Sequence, residues 1–197
     1  MTEQPITVVT GCGRCGTSMV MQMLRAGGMR VTGKGPSHED QRSTALPENS
    51  AWLEECRGAA VKILDPHIFT PPPVHQYRFI VMTRDAVQQA ESQMKFLRVF
   101  GENVTTDRRT RRALSSQNAR DVTRIKRIVS FYPNSKNIML RFEDILRSPL
   151  DAAQTLSSFV GKLNADAAAS AVISRDPRCF PGMMEFGSTD TGFSTHQ

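Results

Sequence analysis

The chain has 197 residues, enough for one domain with a sizeable buried core. Its composition is 39% hydrophobic and 22% charged, which is typical of a globular protein and excludes a collagen-like or disordered chain. No stretch approaches the roughly 20 apolar residues of a membrane span, and the N-terminus lacks the basic and apolar regions of a signal peptide. These features predict a single soluble, cytoplasmic domain over residues 1–197, with a core at about 5–161 and an irregular tail at 175–197.

The formal net charge of +6 is concentrated in one window of the chain. Between Lys95 and Arg127 there are ten Lys or Arg residues against three acids, a local charge of +7, so the rest is close to neutral. A basic surface favours an anionic partner without identifying it. A nucleic-acid adaptor is one alternative, although the window has few aromatic residues and no reader motif, and a solvated helix face is the commonest meaning of such a run.

The cysteines do not predict a structural metal or a disulfide framework. They are Cys12, Cys15, Cys56 and Cys179, and only the first two are close in sequence. A four-cysteine zinc site needs a second close pair, and a chain of this length does not need disulfides to fold. We therefore expect no bound metal.

Hydrophobic periodicity along the chain predicts alternating strands and helices. The predicted strands are Ile6–Thr10, Ala60–Leu64, Arg78–Thr83 and Asn137–Arg141. The predicted helices are Ser18–Ala26, Ala86–Val99, about Ser116–Phe131, and a helix with Ser148 as its cap, Pro149 at its first position and Gly161 after its end. Residues 32–49 and 70–76 are predicted loops. This order predicts an α/β fold of three layers, with a mainly parallel central sheet flanked by helices.

The stretch TGCGRCGTS, Thr10–Ser18, joins the first predicted strand to the first helix. Backbone amides in a glycine-rich turn before a helix form an anion site, so the stretch predicts a phosphate-binding loop. Three kinds of residue support this: glycines for the turn, hydroxyl donors and one cation. They are Gly11, Gly13 and Gly16, Thr17 and Ser18, and Arg14.

The same stretch also contains a Cys-x-x-Cys pair, Cys12 and Cys15, which is typical of a dithiol redox site. That interpretation leaves three glycines and two hydroxyls without a role, so phosphate binding is favoured. A purely structural turn is the third alternative.

A second motif follows the third predicted strand, where Ser92 comes eight residues after Arg84. A third is LRFEDILRSP, Leu140–Pro149. Together with Arg14-Cys-Gly-Thr-Ser18, these motifs resemble the sulfotransferase superfamily, which has a P-loop-like α/β fold. The resemblance spans Ile6–Gly161 and implies 3′-phosphoadenosine-5′-phosphosulfate as sulfuryl donor, with adenosine 3′,5′-bisphosphate (PAP) as product.

The resemblance also implies roles for residues. The loop would hold the 5′-phosphosulfate, Arg84 and Ser92 the 3′-phosphate, and Arg14 would stabilise the bridging oxygen during in-line transfer to a hydroxyl or amine. The implied donor-binding residues are Gly11, Gly13, Arg14, Cys15, Gly16, Thr17, Ser18, Arg84 and Ser92. The scheme requires no metal.

The catalytic base is left open by the sequence. Relatives use a His or Glu, often near a Lys after the second strand, and VKILDPHIF offers Lys62, Asp65 and His67 at a spacing that does not match cleanly. In one branch an acid from the loop after the first helix acts as base. That makes Glu39, Asp40 and Glu48 further candidates.

The acceptor is expected to be a small molecule or glycan, in a pocket that is open or completed by a second subunit of a homodimer. Trp52 and Phe69 are expected in the core rather than in that pocket. Membrane binding is not expected, and nucleic-acid binding is not favoured. One alternative is a P-loop nucleotide or small-molecule kinase, but Thr17 stands at the usual lysine position. The others are a non-enzymatic nucleotide- or nucleic-acid-binding protein and a sulfotransferase relative that binds nucleotide without catalysis.

Overall fold

The centre of the molecule is a four-stranded parallel sheet. The structure is a computed structural model that describes residues 4–99, 101 and 105–174. The strands are β1 (Ile6–Gly11), β2 (Ala60–Leu64), β3 (Tyr77–Thr83) and β4 (Lys136–Arg141), in the order β2–β1–β3–β4. All three pairings are parallel. The four predicted strands are confirmed within one residue at each end.

Helices connect and follow the strands. They are α1 (Thr17–Ala26), α2 (Ala86–Val99), α3 (Arg108–Ser130), α4 (Phe142–Arg147), α5 (Pro149–Val160) and α6 (Ala165–Ser170). Two short 3₁₀ helices, Gln41–Ala45 and Ala51–Cys56, lie between α1 and β2. The sequence analysis did not predict α4, α6 or the 3₁₀ helices. The predicted tail at 175–197 lies outside the described residues.

Two predicted helix starts differ from the structure. Helix α3 begins eight residues earlier than predicted, because Asp107 caps it: its Oδ1 accepts a hydrogen bond from the Thr110 amide at 2.7 Å. The prediction that Ser148 caps α5 is wrong, since its side chain makes no capping hydrogen bond. That helix starts on Pro149, whose fixed φ suits the first turn.

Each face of the sheet carries its own core, so the three-layer prediction is confirmed. On one face, Val9, Ile80 and Met82 pack against α1, α4, α5 and α6. On the other, Val8, Phe79 and Val81 belong to a second cluster that includes Ile125 and Val129 of α3. The expected core role of Trp52 is confirmed, since it is buried in this second cluster, and Phe69 packs against it.

The strand order determines where a ligand fits. The chain runs from β1 to β2 on one side and then to β3 on the other, so the connections diverge at the carboxyl end of β1. In open parallel sheets ligands bind in the crevice at such a point. The predicted phosphate-binding loop follows β1 directly. Within the described residues, no helix combines the length and apolar character needed to cross a membrane.

Candidate functional site

The loop between β1 and α1 has a backbone that only glycine suits at two points. Gly11 has φ +152° and Gly16 has φ +101°, values that side-chain-bearing residues rarely adopt. A Cβ on Gly11 would lie 2.7 Å from the Met82 carbonyl oxygen, and one on Gly16 would lie 2.6 Å from the Phe142 ring. A Cβ on Gly13, by contrast, would meet no atom within 4 Å. The loop is thus packed tightly on the protein side and open at Gly13.

The N-terminus of α1 is suited to an anion. Gly16 is its N-cap, and within the described residues no side chain caps it and its first turn carries no acid. The first amides of a helix lack intrahelical partners and carry a partial positive charge. Thr17 and Ser18 bring hydroxyl groups to the same turn. A phosphate or sulfate fits this end of the helix without displacing a capping group.

Arg14, Arg84 and Ser92, far apart in sequence, meet at this loop. The Arg14 Nε donates to Ser92 Oγ at 3.4 Å, and the Arg84 Nη1 donates to the Arg14 carbonyl oxygen at 3.0 Å. Ser92 is 3% exposed and Arg84 9% exposed. The predicted donor-binding residues are therefore brought together in one place.

The two arginines are also held by aromatic rings. The Arg14 guanidinium lies 4.9 Å from the centroid of the Phe96 ring, and that of Arg84 lies 4.3 Å from the Phe142 ring. The acids near Arg84 in sequence have other partners. Asp85 caps α2 by accepting from two backbone amides, and Glu91 pairs with Arg111 at 3.1 Å. Arg84 is oriented toward the loop, where its Nη1 donates to the Arg14 carbonyl oxygen.

Three amide side chains that the sequence analysis missed support the loop from α2 and α3. Gln89 and Gln93 both donate to the Gly13 carbonyl oxygen, at 2.8 and 3.2 Å. Gln93 also exchanges two hydrogen bonds with Asn118 of α3, at 3.2 and 2.9 Å. The available signal was the spacing of Gln89 and Gln93, one helical turn apart on either side of Ser92.

Lys62 lies in the middle of β2 and reaches the first turn of α1. Its ammonium group donates to Ser18 Oγ at 3.1 Å, to the Ser37 carbonyl oxygen at 3.0 Å and to Glu39 Oε1 at 2.9 Å. The side chain is 3% exposed, and this burial lowers its pKa. The Glu39 side chain is 61% exposed. A solvent-accessible carboxylate is thereby linked through one lysine to the first turn of α1.

Asp65 lies beside the loop, since its amide donates to the Gly11 carbonyl oxygen at 3.0 Å, whereas His67 contacts α3. His67 Nε2 is 3.6 Å from Asp121 Oδ1 of α3, and burial raises the pKa of the Asp65 carboxyl. Asp121, which the sequence analysis did not single out, also accepts from Gln117 and Arg124. Lys62 instead contacts α1 and residues 37–39. The structure does not bring these candidates into one group.

The two remaining acid candidates do not contact Lys62. Asp40 forms an ion pair with Arg42 at 2.9 Å, and the hydrogen bonds from Arg42 hold its pKa below the usual value. Glu48 is exposed. Of the three acids after α1, Glu39 is the one joined to the loop.

The cysteines of the loop have the wrong electrostatic setting for redox chemistry. Cys12 and Cys15 are free and buried. Burial raises the pKa of Cys15 to about 12 and also raises that of Cys12. A reactive dithiol needs a lowered thiol pKa, so the environment disfavours the redox alternative. In the described part of the chain, no group of three or more His, Cys, Asp or Glu could hold a metal ion.

The fold and the position of the loop are those of a P-loop-like α/β protein, and similar solved structures exist. The chain resembles retinol dehydratase in complex with androsterone and the inactive cofactor PAP, with a TM-score of 0.50 and 17% identity over 84% of this chain. It covers 62% of that protein, so it spans about three-fifths of its length. At this identity the likeness shows the fold, and it confirms the fold predicted from the motifs.

Two further structures are similar. Retinol dehydratase in a complex with retinol and PAP has a TM-score of 0.49 and 16% identity, covering 86% of this chain and 64% of that one. The sulfotransferase domain of the Synechococcus PCC 7002 olefin synthase has a TM-score of 0.49 and 14% identity, covering 89% and 80%. No family model matches the chain, and no curated protein matches it by sequence.

Proposed function

We propose that this chain is a sulfotransferase that moves a sulfuryl group from 3′-phosphoadenosine-5′-phosphosulfate to a hydroxyl or amine of an acceptor. The observation that carries the proposal is the convergence of Arg14, Arg84 and Ser92 on a glycine loop at the N-terminus of α1. The similar retinol dehydratase structure, which is described with PAP bound, supports the same class of ligand.

The residues fit a ligand with two separate anionic groups. The amides of the loop and of α1 suit the 5′ end, and the guanidinium of Arg84 with the Ser92 hydroxyl suits the 3′-phosphate. Arginine is well matched to this task because its fork donates to two phosphate oxygens at once. The contact between Arg14 and Ser92, at 3.4 Å, is long for a hydrogen bond, so a phosphate can replace it at little cost.

The donor supplies a sulfuryl group on a phosphate leaving group, and negative charge spreads over the bridging oxygen during transfer. Arg14 lies in the loop where that charge develops, and the Thr17 and Ser18 hydroxyls donate beside it. These groups stabilise the transition state by donating hydrogen bonds where the charge develops.

We assign the role of catalytic base to Glu39. Its carboxylate is accessible, and Lys62 connects it to Ser18 in the first turn of α1. In this scheme Glu39 takes the proton of the acceptor hydroxyl as the new oxygen–sulfur bond forms. Lys62 keeps the carboxylate in position by a hydrogen bond at 2.9 Å. His67 is engaged with Asp121, which makes it the weaker candidate.

Binding of PAP tests the proposal. We expect PAP to raise the melting temperature, because a ligand at 100 times its dissociation constant stabilises the native state by about 2.7 kcal/mol. Arg84→Ala and Ser92→Ala should each remove most of that rise. Arg98→Ala, an exposed change on the same helix α2, is the matched control and should keep it. The absence of any rise at millimolar PAP contradicts the proposal, and a larger rise with magnesium ATP favours a kinase.

A further inference from the structure

Helix α3 presents a sector of positive charge on its outer side. It has eight Arg or Lys residues and one acid among 23 residues. At about 100° per residue, its buried positions Asn118, Asp121, Ile125 and Val129 fall within one sector of about 80°. Six cations fall within about 120° on the opposite side. We call these six the α3 cationic face: Arg108, Arg109, Arg112, Arg120, Lys126 and Arg127.

Asp107 attracts Arg109 but leaves the face with a large net positive charge. All six side chains belong to exposed residues, and within the described residues none forms an ion pair with an acid. Two other arginines of α3 form ion pairs, Arg111 with Glu91 and Arg124 with Asp121. Both lie outside the cationic sector. Like charges this close repel one another, so an anionic partner gains free energy by binding here.

The spacing of the cations indicates an extended partner. They form two groups, at 108–112 and 120–127, separated by the uncharged residues 113–119. At about 1.5 Å per residue, Arg109 and Arg127 are about 27 Å apart along the helix. A single small anion cannot contact both groups, whereas a linear polyanion can.

We propose that the α3 cationic face is the docking surface for an anionic polysaccharide, and that this polysaccharide is the acceptor. Five of the six cations are arginines, whose planar forks match carboxylate and sulfate groups. The helix contains no aromatic residue on which the bases of a single strand could stack. Its larger apolar residues lie outside the cationic sector: Ile125 and Val129 are buried, and Leu114, Val122 and Ile128 are partly buried, so the cationic face offers no large apolar side chain to a membrane.

The face lies close to the candidate active site. Asn118, on the inner side of α3, bonds Gln93, which bonds the Gly13 carbonyl oxygen of the loop. A chain lying on the outer side is therefore about one helix diameter, roughly 10 Å, from the loop-supporting residues. The acceptor role rests on the proposed sulfotransferase function, since it names the substrate class of that site. The docking surface itself does not depend on it.

The test compares two charge-removing variants of the full chain. Arg109→Gln, Arg112→Gln and Arg127→Gln together remove three charges from the face. The control, Lys136→Gln, Arg147→Gln and Lys162→Gln, removes three exposed charges elsewhere.

Binding of fluorescent heparin and polygalacturonate oligosaccharides is measured by anisotropy at low and high salt. We expect the α3 variant to bind the polysaccharides at least tenfold more weakly than the wild type and with a smaller salt dependence. The control should bind them within twofold of the wild type. Both variants should keep the PAP-induced rise in melting temperature.

Each other outcome overturns part of the proposal. Equal weakening in both variants, or no polysaccharide binding at low salt, overturns the docking surface. Tighter binding of single-stranded DNA or RNA of equal charge assigns the face to nucleic acid, and sedimentation with phosphatidylserine vesicles assigns it to a membrane. If polysaccharide binding depends on α3 but PAP does not bind, the docking surface stands and the acceptor role falls together with the sulfotransferase proposal. If both bind, sulfation of the polysaccharide by the α3 variant should show a raised KM and an unchanged kcat.

Discussion

At the scale of single residues, two candidate bases, Glu39 and His67, have different partners and can be tested against each other. Glu39→Gln keeps the hydrogen bond from Lys62 but removes the basic carboxylate. We expect it to lower kcat by about 10²–10⁴-fold, the usual contribution of a general base, and to leave the PAP-induced rise in melting temperature unchanged. His67→Asn should keep most of the activity. The measurement is transfer of labelled sulfate to simple phenols and alcohols.

The reverse pattern, a large loss in His67→Asn and little change in Glu39→Gln, contradicts the assignment of Glu39. A loss of PAP binding in Glu39→Gln assigns it to donor binding instead. Both results are distinguishable from misfolding by the melting temperature without ligand.

The thiols of the loop give a second prediction at this scale. Burial raises the pKa of Cys15 to about 12, so very little of the thiol is ionised near pH 8, and the ionised form is the nucleophile. In a Cys179→Ser background, Cys12, Cys15 and Cys56 should react with iodoacetamide very slowly in the native protein and fully in urea. Fast native alkylation, or loss of PAP binding on mild oxidation that a reductant reverses, supports the redox alternative.

At the scale of elements, what the sequence predicts well is what its local pattern determines. The first three strands are short apolar runs buried on both faces, and the edge strand β4 is a short apolar run that is more exposed, so the bounds of all four are predicted closely. The start of α3 is missed because Arg108–Arg112 carries no apolar periodicity, while Asp107, the true start signal, stands in a charged run. The loop is predicted from its glycines. Its support is missed because Gln93 and Asn118 meet only after α2 and α3 pack together.

The capping of α3 is the prediction at this scale. Asp107→Ala removes the acceptor of the Thr110 amide, so the first turns of α3 should fray and their amides should exchange faster. The bond to that amide lowers the pKa of Asp107, so its stabilisation is present above the unfolded pKa and is lost as the pH falls through the folded pKa. The difference in melting temperature between wild type and Asp107→Ala should therefore be seen near pH 7 and shrink in acid. Asp107→Asn, which caps without titrating, should show no such pH dependence.

At the scale of the whole molecule, one side chain connects the loop between β1 and α1 to the hydrophobic core. Phe142, at the start of α4, is buried in the cluster with α1 and α5. Its ring occupies the position that a side chain on Gly16 would need, and it also packs against the Arg84 guanidinium. The end of β3, the loop and α4 thus meet on a single ring. The exact position of the anion site therefore depends on the packed fold, so the local pattern that predicts the loop does not predict the contribution of Phe142.

Replacing this ring should separate binding from stability. Phe142→Leu keeps an apolar side chain in the core but removes the aromatic face that holds Arg84. We expect PAP to bind about 2–30-fold more weakly, because about 0.5–2 kcal/mol of cation–π attraction is lost. Ile145→Val, buried in the same helix and cluster, is the control. It should lower the free energy of unfolding by about 0.5–1.5 kcal/mol and leave PAP affinity unchanged. Calorimetric titration with PAP and urea denaturation measure the two quantities. Equal PAP affinities in the two variants would mean that Arg84 is positioned without the ring, and that the anion site depends on the loop and α2 alone.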